Sequence, residues 1–356
     1  MPTSTQSHSG DKVKCLAAKE KGGPVSEWEY TARPLGPHDI ELAIDYCGVC
    51  GTDCSQIDTG YSVAEYPFVP GHEIIGRAVK LGDKVQGFSE GERVGVSWFA
   101  WSCEDGSSQC DQCRQGNDVY CQKAVSTAGG KYPDGSISYG GYADSIRVHQ
   151  KHVMHIPDNL DSKLAAPITC GGSTVFTPMT VHNVKAGDCV GIVGIGGLGH
   201  MAIMFAKALG AEVTAFTTKE DKCKECLELG AHHAVNLKDA KQVSRAENSI
   251  DFLLVCSNSP HINWDQLASF VSLHGKIVLV GIPPTPIKIS AANLLLKNIS
   301  LSTSVVGNAA QVQQSLDFAA KHHIKPILEE LPMSKANDGI QRVKDGDVRY
   351  RVVLHR

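Results

Sequence analysis

The chain has 356 residues, 34 basic and 38 acidic side chains, and a formal net charge of -4. Its length exceeds what one hydrophobic core organises and predicts two domains; the near balance of charge excludes a basic field for nucleic acid or an anionic membrane, and favours a small-molecule ligand. Thirteen cysteines in a long chain that opens MPTSTQSHSGDK, with no apolar leader, predict a reducing, cytoplasmic setting, and no apolar run reaches the roughly 18 to 20 residues of a bilayer span.

Residues 1 to 11 carry almost nothing to bury and are predicted to be a mobile tail. From Lys14 to about His155, short β-rich stretches (Ile40 to Tyr46, Ile74 to Leu81, Arg93 to Trp98, Ser145 to His149) are broken by Gly, Pro and Asp. That pattern predicts a β-rich domain. After Pro167 the rhythm changes. A strand at Cys189 to Val193 and a glycine turn lead to a helix at His200 to Leu209 and a strand at Glu212 to Thr217. Strands at Phe252 to Cys256 and Lys276 to Val280 follow, with helices at Glu220 to Leu229 and Trp264 to Val271. Alternating strand and helix predicts an α/β, doubly wound parallel sheet. A helix at Ala309 to Lys321 and a last strand at Tyr350 to Leu354 could belong to either domain.

The segment Gly194-Ile195-Gly196-Gly197-Leu198-Gly199 leaves an apolar strand and enters a helix. Glycines there let the backbone approach a pyrophosphate, and the helix start offers free N–H groups to it. The next strand normally ends on a carboxylate that binds the adenine ribose and repels a 2'-phosphate. Here it ends Phe216-Thr217-Thr218-Lys219 with Lys222 close behind, which favours NADP(H) over NAD(H).

Two sets of metal-ligand types stand out. Cys103, Cys110, Cys113 and Cys121 are crowded among turn and polar residues, as a tetrahedral four-sulfur structural zinc site requires. Cys50, His72 and Cys170 are dispersed; two thiolates and an imidazole would leave a zinc position open for a substrate oxygen, but spacing does not establish that they meet.

With CGVCGTD, PGHE, the four-cysteine lobe, DGSISYGGYAD, GIGGLGHMA and DVRYRVVL, the chain resembles the zinc-dependent medium-chain alcohol dehydrogenases, most of all the cinnamyl alcohol dehydrogenase branch of NADP-dependent aldehyde reductases. The resemblance implies a GroES-like β-rich catalytic domain over 1–171, a Rossmann domain over 172–308, and a return to the catalytic domain over 309–356. It implies two zinc ions per chain. The catalytic one would sit on Cys50, His72 and Cys170, with Glu73 as an outer or exchange ligand and Asp53 orienting the histidine. Thr174 would contact the nicotinamide and Arg351 the cofactor phosphates. Zinc would polarise the reacting oxygen, and the Thr52 hydroxyl would pass the proton.

Three departures from the family pattern matter. Six residues separate the first two lobe cysteines where two are usual, making Glu104 to Ser108 an insertion in a bulged lobe that still closes. Ser55 replaces a relay histidine, so the proton would run through the ribose hydroxyl to water. Ser126 stands where lignin-pathway members carry tryptophan, and Trp98 matches an aromatic that narrows the pocket, together pointing to a broad aryl and aliphatic aldehyde reductase. The alternatives are a polyol or sugar-alcohol dehydrogenase on the same scaffold, or a non-catalytic zinc- and nucleotide-binding redox sensor. Relatives of this kind are usually homodimers, and Asn298 to Val306 could supply the edge strand.

Overall fold

The computed structural model describes residues 11–103 and 109–356. The chain forms two units: 1–166 with 329–348 and 352–356, and 167–328 with 349–351.

The first unit is built on an antiparallel sheet. Its long strand, Asp39–Val49, pairs with Ile74–Leu81 on one side and with Arg351–His355 on the other, in a register that sets Val352 opposite Val49 and Val353 opposite Gly48. Ser145–His149 also pairs with Asp39–Val49, and Arg93–Val96 and Val153–His155 extend the far side. Ser145–His149 alternates half-buried and buried positions, the period-two pattern of a strand with one face on a core. A separate hairpin joins Lys12–Ala18 to Val25–Thr31. The predicted strand from Arg93 stops at Val96, so Trp98 lies between strands rather than within one.

The second unit is a six-stranded parallel sheet in the order His233–Asn236, Glu212–Thr217, Cys189–Val193, Ile250–Val255, Val271–Leu279, Ser300–Thr303. The first strand in sequence sits in the middle, and the order reverses beside it. That switch point, at the carboxyl ends of the strands, is where an open parallel sheet leaves a crevice for a ligand. Central strands are apolar almost throughout, as burial on two faces demands.

Two sequence expectations need amendment. The tail prediction included Asp11, yet its carboxylate pairs with Lys80 at 2.8 Å and Arg147 at 2.5 Å, and its carbonyl accepts from the Ala32 N–H; the other tail residues lie outside the described ones. The units also divide at 166/167 and 328/329 rather than at 171/172 and 308/309. The reason is packing. Helix Ala309–Lys321, opened by a capping box of Asn308 and Gln311, buries Val312, Leu316 and Ala319. Phe318 stands 4.7 Å from Phe176 and 6.1 Å from Phe205, ring centre to ring centre, so the helix closes the core of the second unit.

Candidate active site and metal centres

Cys50 lies where strand Asp39–Val49 gives way to helix Gly51–Thr59, in extended conformation, as the helix N-cap. Its sulfur accepts from the Thr52 N–H at 3.5 Å, while its own N–H donates to Asp53 Oδ2 at 2.8 Å. This is a capping box with sulfur in place of a hydroxyl. The other Asp53 oxygen accepts from the Gly71 N–H at 3.1 Å and lies 2.9 Å from His72 Nδ1. Asp53, His72 and Glu73 are wholly buried.

With Nδ1 bound to Asp53, His72 turns its buried Nε2 toward the remaining donors, with no hydrogen-bond partner for it among the described residues. Burial pulls the imidazole's pKa down, and the charge and hydrogen bond of Asp53 more than reverse this; a more basic ring is a stronger metal ligand. Glu73 reaches the same place because residue 48 is glycine: a Cβ on Gly48 would stand 1.9 Å from Glu73 Oε2. The ligand atoms of Cys50, His72 and Glu73 lie within 4.8 Å of one another. A sulfur, nitrogen and oxygen set, with His72 and Glu73 buried, Cys50 half-buried and one imidazole nitrogen orphaned, fits zinc, a borderline-soft ion that takes all three. Thr52 Oγ1 is 3.6 Å from the Cys50 sulfur, at the edge of this group. Ser55 instead returns its hydroxyl to the Gly51 carbonyl at 3.2 Å, within its own helix.

Trp98 meets the His72 ring edge-on, with centroids 4.9 Å apart and planes at 82°. It also lines a cleft of about 370 Å³ with Ser62, Val63, Ser126, Gly129 and Lys131. Both pocket residues predicted from sequence therefore face one space. Most of the remaining lining comes from loops, with Phe99 on the short strand Phe99–Trp101. Lys131 pairs there with Glu65 at 2.8 Å.

The four lobe thiols converge within 4.8 Å of one another. Cys103 Sγ is 3.4 Å from Cys113 Sγ and 3.3 Å from Cys121 Sγ, far beyond a disulfide bond of about 2.05 Å. Burial raises the Cys103 thiol's pKa, but the Cys110 N–H and the other thiols outweigh it and bring it to about 6. The proposed insertion, Glu104 to Ser108, lies outside the described residues; its flanks nonetheless bring all four sulfurs together. Sequence reasoning missed the support beneath the lobe. Buried His152 contacts the Ser102 hydroxyl at 3.0 Å through Nε2, and Lys151 spans Ser102 at 3.2 Å and Asp118 at 3.4 Å. Burial, with Lys151 and His149 nearby, lowers the His152 pKa to about 3.

In the second unit, Gly194 takes a positive φ of 87°, and a Cβ on Gly199 would lie 2.1 Å from the Gly194 carbonyl, so both positions exclude larger residues. A Cβ on Gly196 would meet nothing within 4 Å, leaving that side of the turn open to a ligand. Leu198 caps helix Gly199–Ala208 without a side-chain hydrogen bond, and the His200 N–H in its first turn donates to the Gly196 carbonyl at 3.1 Å. Arg351 reaches the turn: its Nη1 would stand 3.1 Å from a Cβ on Gly197. Thr217 is buried at the strand end, and its hydroxyl accepts from the Lys219 N–H at 3.3 Å; Thr218 and Lys219 are exposed beyond it. Lys222 folds back to donate to the Ile195 carbonyl at 2.7 Å, an engagement the sequence does not announce. Thr174 and Cys170 also belong to this unit, both buried, Cys170 on the single π-helical turn Ile168–Gly172.

Comparison with known proteins identifies the family. The profile of the alcohol dehydrogenase GroES-like domain matches residues 36–158, and that of the zinc-binding dehydrogenases matches residues 197–321. The chain is 36% identical over 341 residues to cinnamyl alcohol dehydrogenase 8 of Arabidopsis thaliana, covering 95% of this chain and 94% of that one. It is 36% identical to aldehyde reductase AdhA of Synechocystis sp., covering 96% and 98%, and 36% identical to a probable mannitol dehydrogenase of Fragaria ananassa, covering 96% and 95%. Among solved structures, a cinnamyl alcohol dehydrogenase from Sorghum bicolor superposes with a TM-score of 0.91 at 34% identity, covering 97% of this chain and 98% of that one. A CAD from Helicobacter pylori complexed with NADP(H) superposes with a TM-score of 0.87 at 28% identity over the same shares.

Two tests follow from this geometry. Gly48→Ala drives a methyl group into the Glu73 carboxylate and is expected to lower activity about 10- to 100-fold, the scale of a disturbed ligand environment. Metal analysis should find the lobe zinc retained, and unchanged activity would count against the site. His152 is held neutral in the fold with a pKa below its unfolded value, so its contribution is full above about pH 6.5 and lost as pH falls toward 3. Acid unfolding of His152→Asn should therefore begin at lower pH relative to its own neutral-pH stability, and an identical pH profile would exclude this linkage.

Proposed function

The chain belongs to the zinc-binding medium-chain alcohol dehydrogenases, in their cinnamyl alcohol dehydrogenase-like branch, and from that premise we propose that it interconverts aldehydes and primary alcohols with NADP(H), as a reductase of broad aryl and aliphatic range. The observation that carries this is the Cys50, His72 and Glu73 donor group, its histidine and glutamate wholly buried, one indole ring away from a cleft of about 370 Å³.

In this reading Cys170 completes the ligand set, four residues along the chain from the last residue of the first unit before the crossing. Bound zinc supplies Lewis acidity toward the substrate oxygen, and bound NADPH supplies the reducing equivalent. The protein's residues do the rest. Asp53 fixes the histidine tautomer and orientation, and Gly48 keeps room for Glu73. Thr52 Oγ1 would pass the proton to the product oxygen, and Ser55, whose hydroxyl donates to the Gly51 carbonyl within its own helix, would take no part in that transfer. Gly194, Gly196, Gly197, Leu198 and Gly199 cradle the pyrophosphate with Arg351, and Thr174 faces the nicotinamide. Thr217, Thr218, Lys219 and Lys222 meet the 2'-phosphate; no carboxylate occupies the end of that strand to repel it. Cys103, Cys110, Cys113 and Cys121 hold the structural zinc.

A second reading, a polyol dehydrogenase, draws support from the relative named as a probable mannitol dehydrogenase, which shares the whole scaffold, and from the Ser62 and Ser126 positions on the cleft wall. Initial rates with NADPH and NADH across benzaldehydes, cinnamaldehydes, short aliphatic aldehydes and mannitol decide between them. Activity confined to mannitol would remove the aldehyde reading. Thr217→Asp is expected to lower kcat/KM for NADPH by at least tenfold while sparing NADH; unaltered NADPH selectivity would exclude the 2'-phosphate assignment.

The exposed strand Ser300–Thr303 edges the parallel sheet, and Ile282, Leu295 and Leu296 in the preceding segment are each more than three-quarters exposed. Apolar side chains beside an unpaired edge support a homodimer joined there. Light scattering should give twice the 38.1 kDa chain mass, and a monomer that Leu296→Glu leaves unaltered would end this assignment. No helix among the described residues is long and apolar enough to cross a membrane.

A further inference from the structure

Arg349, Tyr350 and Arg351 pack with the nucleotide-binding unit although the chain on either side belongs to the first. Tyr350 is buried there. Its N–H donates to the Ile327 carbonyl at 3.0 Å, its hydroxyl bonds the Glu225 carboxylate, and Glu225 also lies 3.6 Å from Arg349. Its ring stacks on the His200 imidazole with centroids 4.7 Å apart and planes at 9°. His200 Nδ1 lies 3.1 Å from the Gly196 carbonyl. A carbonyl only accepts, so Nδ1 carries the proton and the imidazole is fixed in one tautomer. Lys222 comes to the same place. Its ammonium, 5.1 Å from the centre of the Tyr350 ring, donates to the Ile195 carbonyl at 2.7 Å.

An ammonium has three N–H bonds and no lone pair. One is committed to Ile195, and the π face of Tyr350 attracts the charge without consuming a donor. The remaining N–H bonds are free to meet an anion beyond the end of strand Glu212–Thr217. A lysine on an open helix face would give up its rotamer freedom when such an anion arrived; this one has done so on folding. Burial lowers the Lys222 pKa, and the nearby Glu225 carboxylate works against that shift.

We propose that Tyr350 is a positioning residue for cofactor discrimination: its ring holds Lys222 where the 2'-phosphate of NADP(H) is met. The proposal rests on the assignment of Lys222 to that phosphate made above. The last returning segment of the chain thereby sets a preference exercised by a helix more than a hundred residues earlier.

The test is equilibrium binding of NADPH and of NADH to the zinc-loaded full chain, followed by fluorescence titration. Tyr350→Leu is expected to raise the Kd for NADPH about tenfold, the scale of a desolvated cation–π contact, and the Kd for NADH less than twofold. Tyr350→Phe keeps the ring and should stay close to the parent. With Lys222→Met already in place, Tyr350→Leu should leave the NADPH to NADH ratio where the first substitution put it. Equal weakening of both nucleotides, or independent effects in the double variant, would assign Tyr350 a merely structural role and overturn the proposal. If Lys222→Met reduces the ratio and Tyr350→Leu does not, only the role of Tyr350 fails; if Lys222→Met leaves the ratio unchanged, the phosphate assignment falls and takes this proposal with it. Tyr350→Met, a flexible apolar chain of similar reach, serves the same test should the leucine variant not fold.

Discussion

The carboxylate of Asp53 is the constraint on which the reactive end of the first unit depends. Its two oxygens collect the Cys50 N–H, the Gly71 N–H and the His72 imidazole. One group therefore starts a helix, fixes a turn eighteen residues downstream and orients a metal ligand. A buried carboxylate is costly unless its lone pairs are used, and here three partners use them. Cys50 and His72 lie just beyond the ladder that sets Cys47 opposite Ile74 and lets the Gly48 N–H donate to the Glu73 carbonyl at 2.9 Å. Asp53 ties the two ligands together at the end of that ladder, with Gly48 providing the room in which Glu73 joins them.

The second unit uses a different device for the same purpose. Its sheet places the glycine turn at the reversal of strand order, where an open parallel sheet leaves a crevice. Side chains brace that turn: Lys222 donates to the Ile195 carbonyl, and His200 contacts the Gly196 carbonyl. In both units a backbone turn is fixed by side chains that the local sequence does not place beside it.

Much of this was legible in the sequence, and the reasons are physical. Apolar period marked the strands Cys189–Val193 and Glu212–Thr217 and the helix Glu220–Leu229 at their observed bounds. Glycines at 194, 196 and 199 were readable because a turn approaching phosphate tolerates little else. The four lobe cysteines were readable because polar neighbours argue against a role as core filler. Long-range contacts were not. Nothing in the local order of residues links His152 to Ser102, Tyr350 to Lys222, or Gly48 to Glu73, since each pair meets only through the fold. Helix Ala309–Lys321 was readable as a helix, while its allegiance was not, because an amphipathic face does not name the core it joins.

The pairing of Arg351–His355 with Asp39–Val49 imposes an order on biosynthesis. The nucleotide-binding unit is all but continuous from 167 to 328 and can close while the ribosome is still at work. The long strand of the first unit emerges early; Ser145–His149 covers the first half of one edge, and Tyr46–Val49 stay unpaired there until Arg351–His355 follow. During that interval those residues are an exposed template for wrong partners, and their pairing has to close a loop of about 300 residues, the kind of contact that forms late.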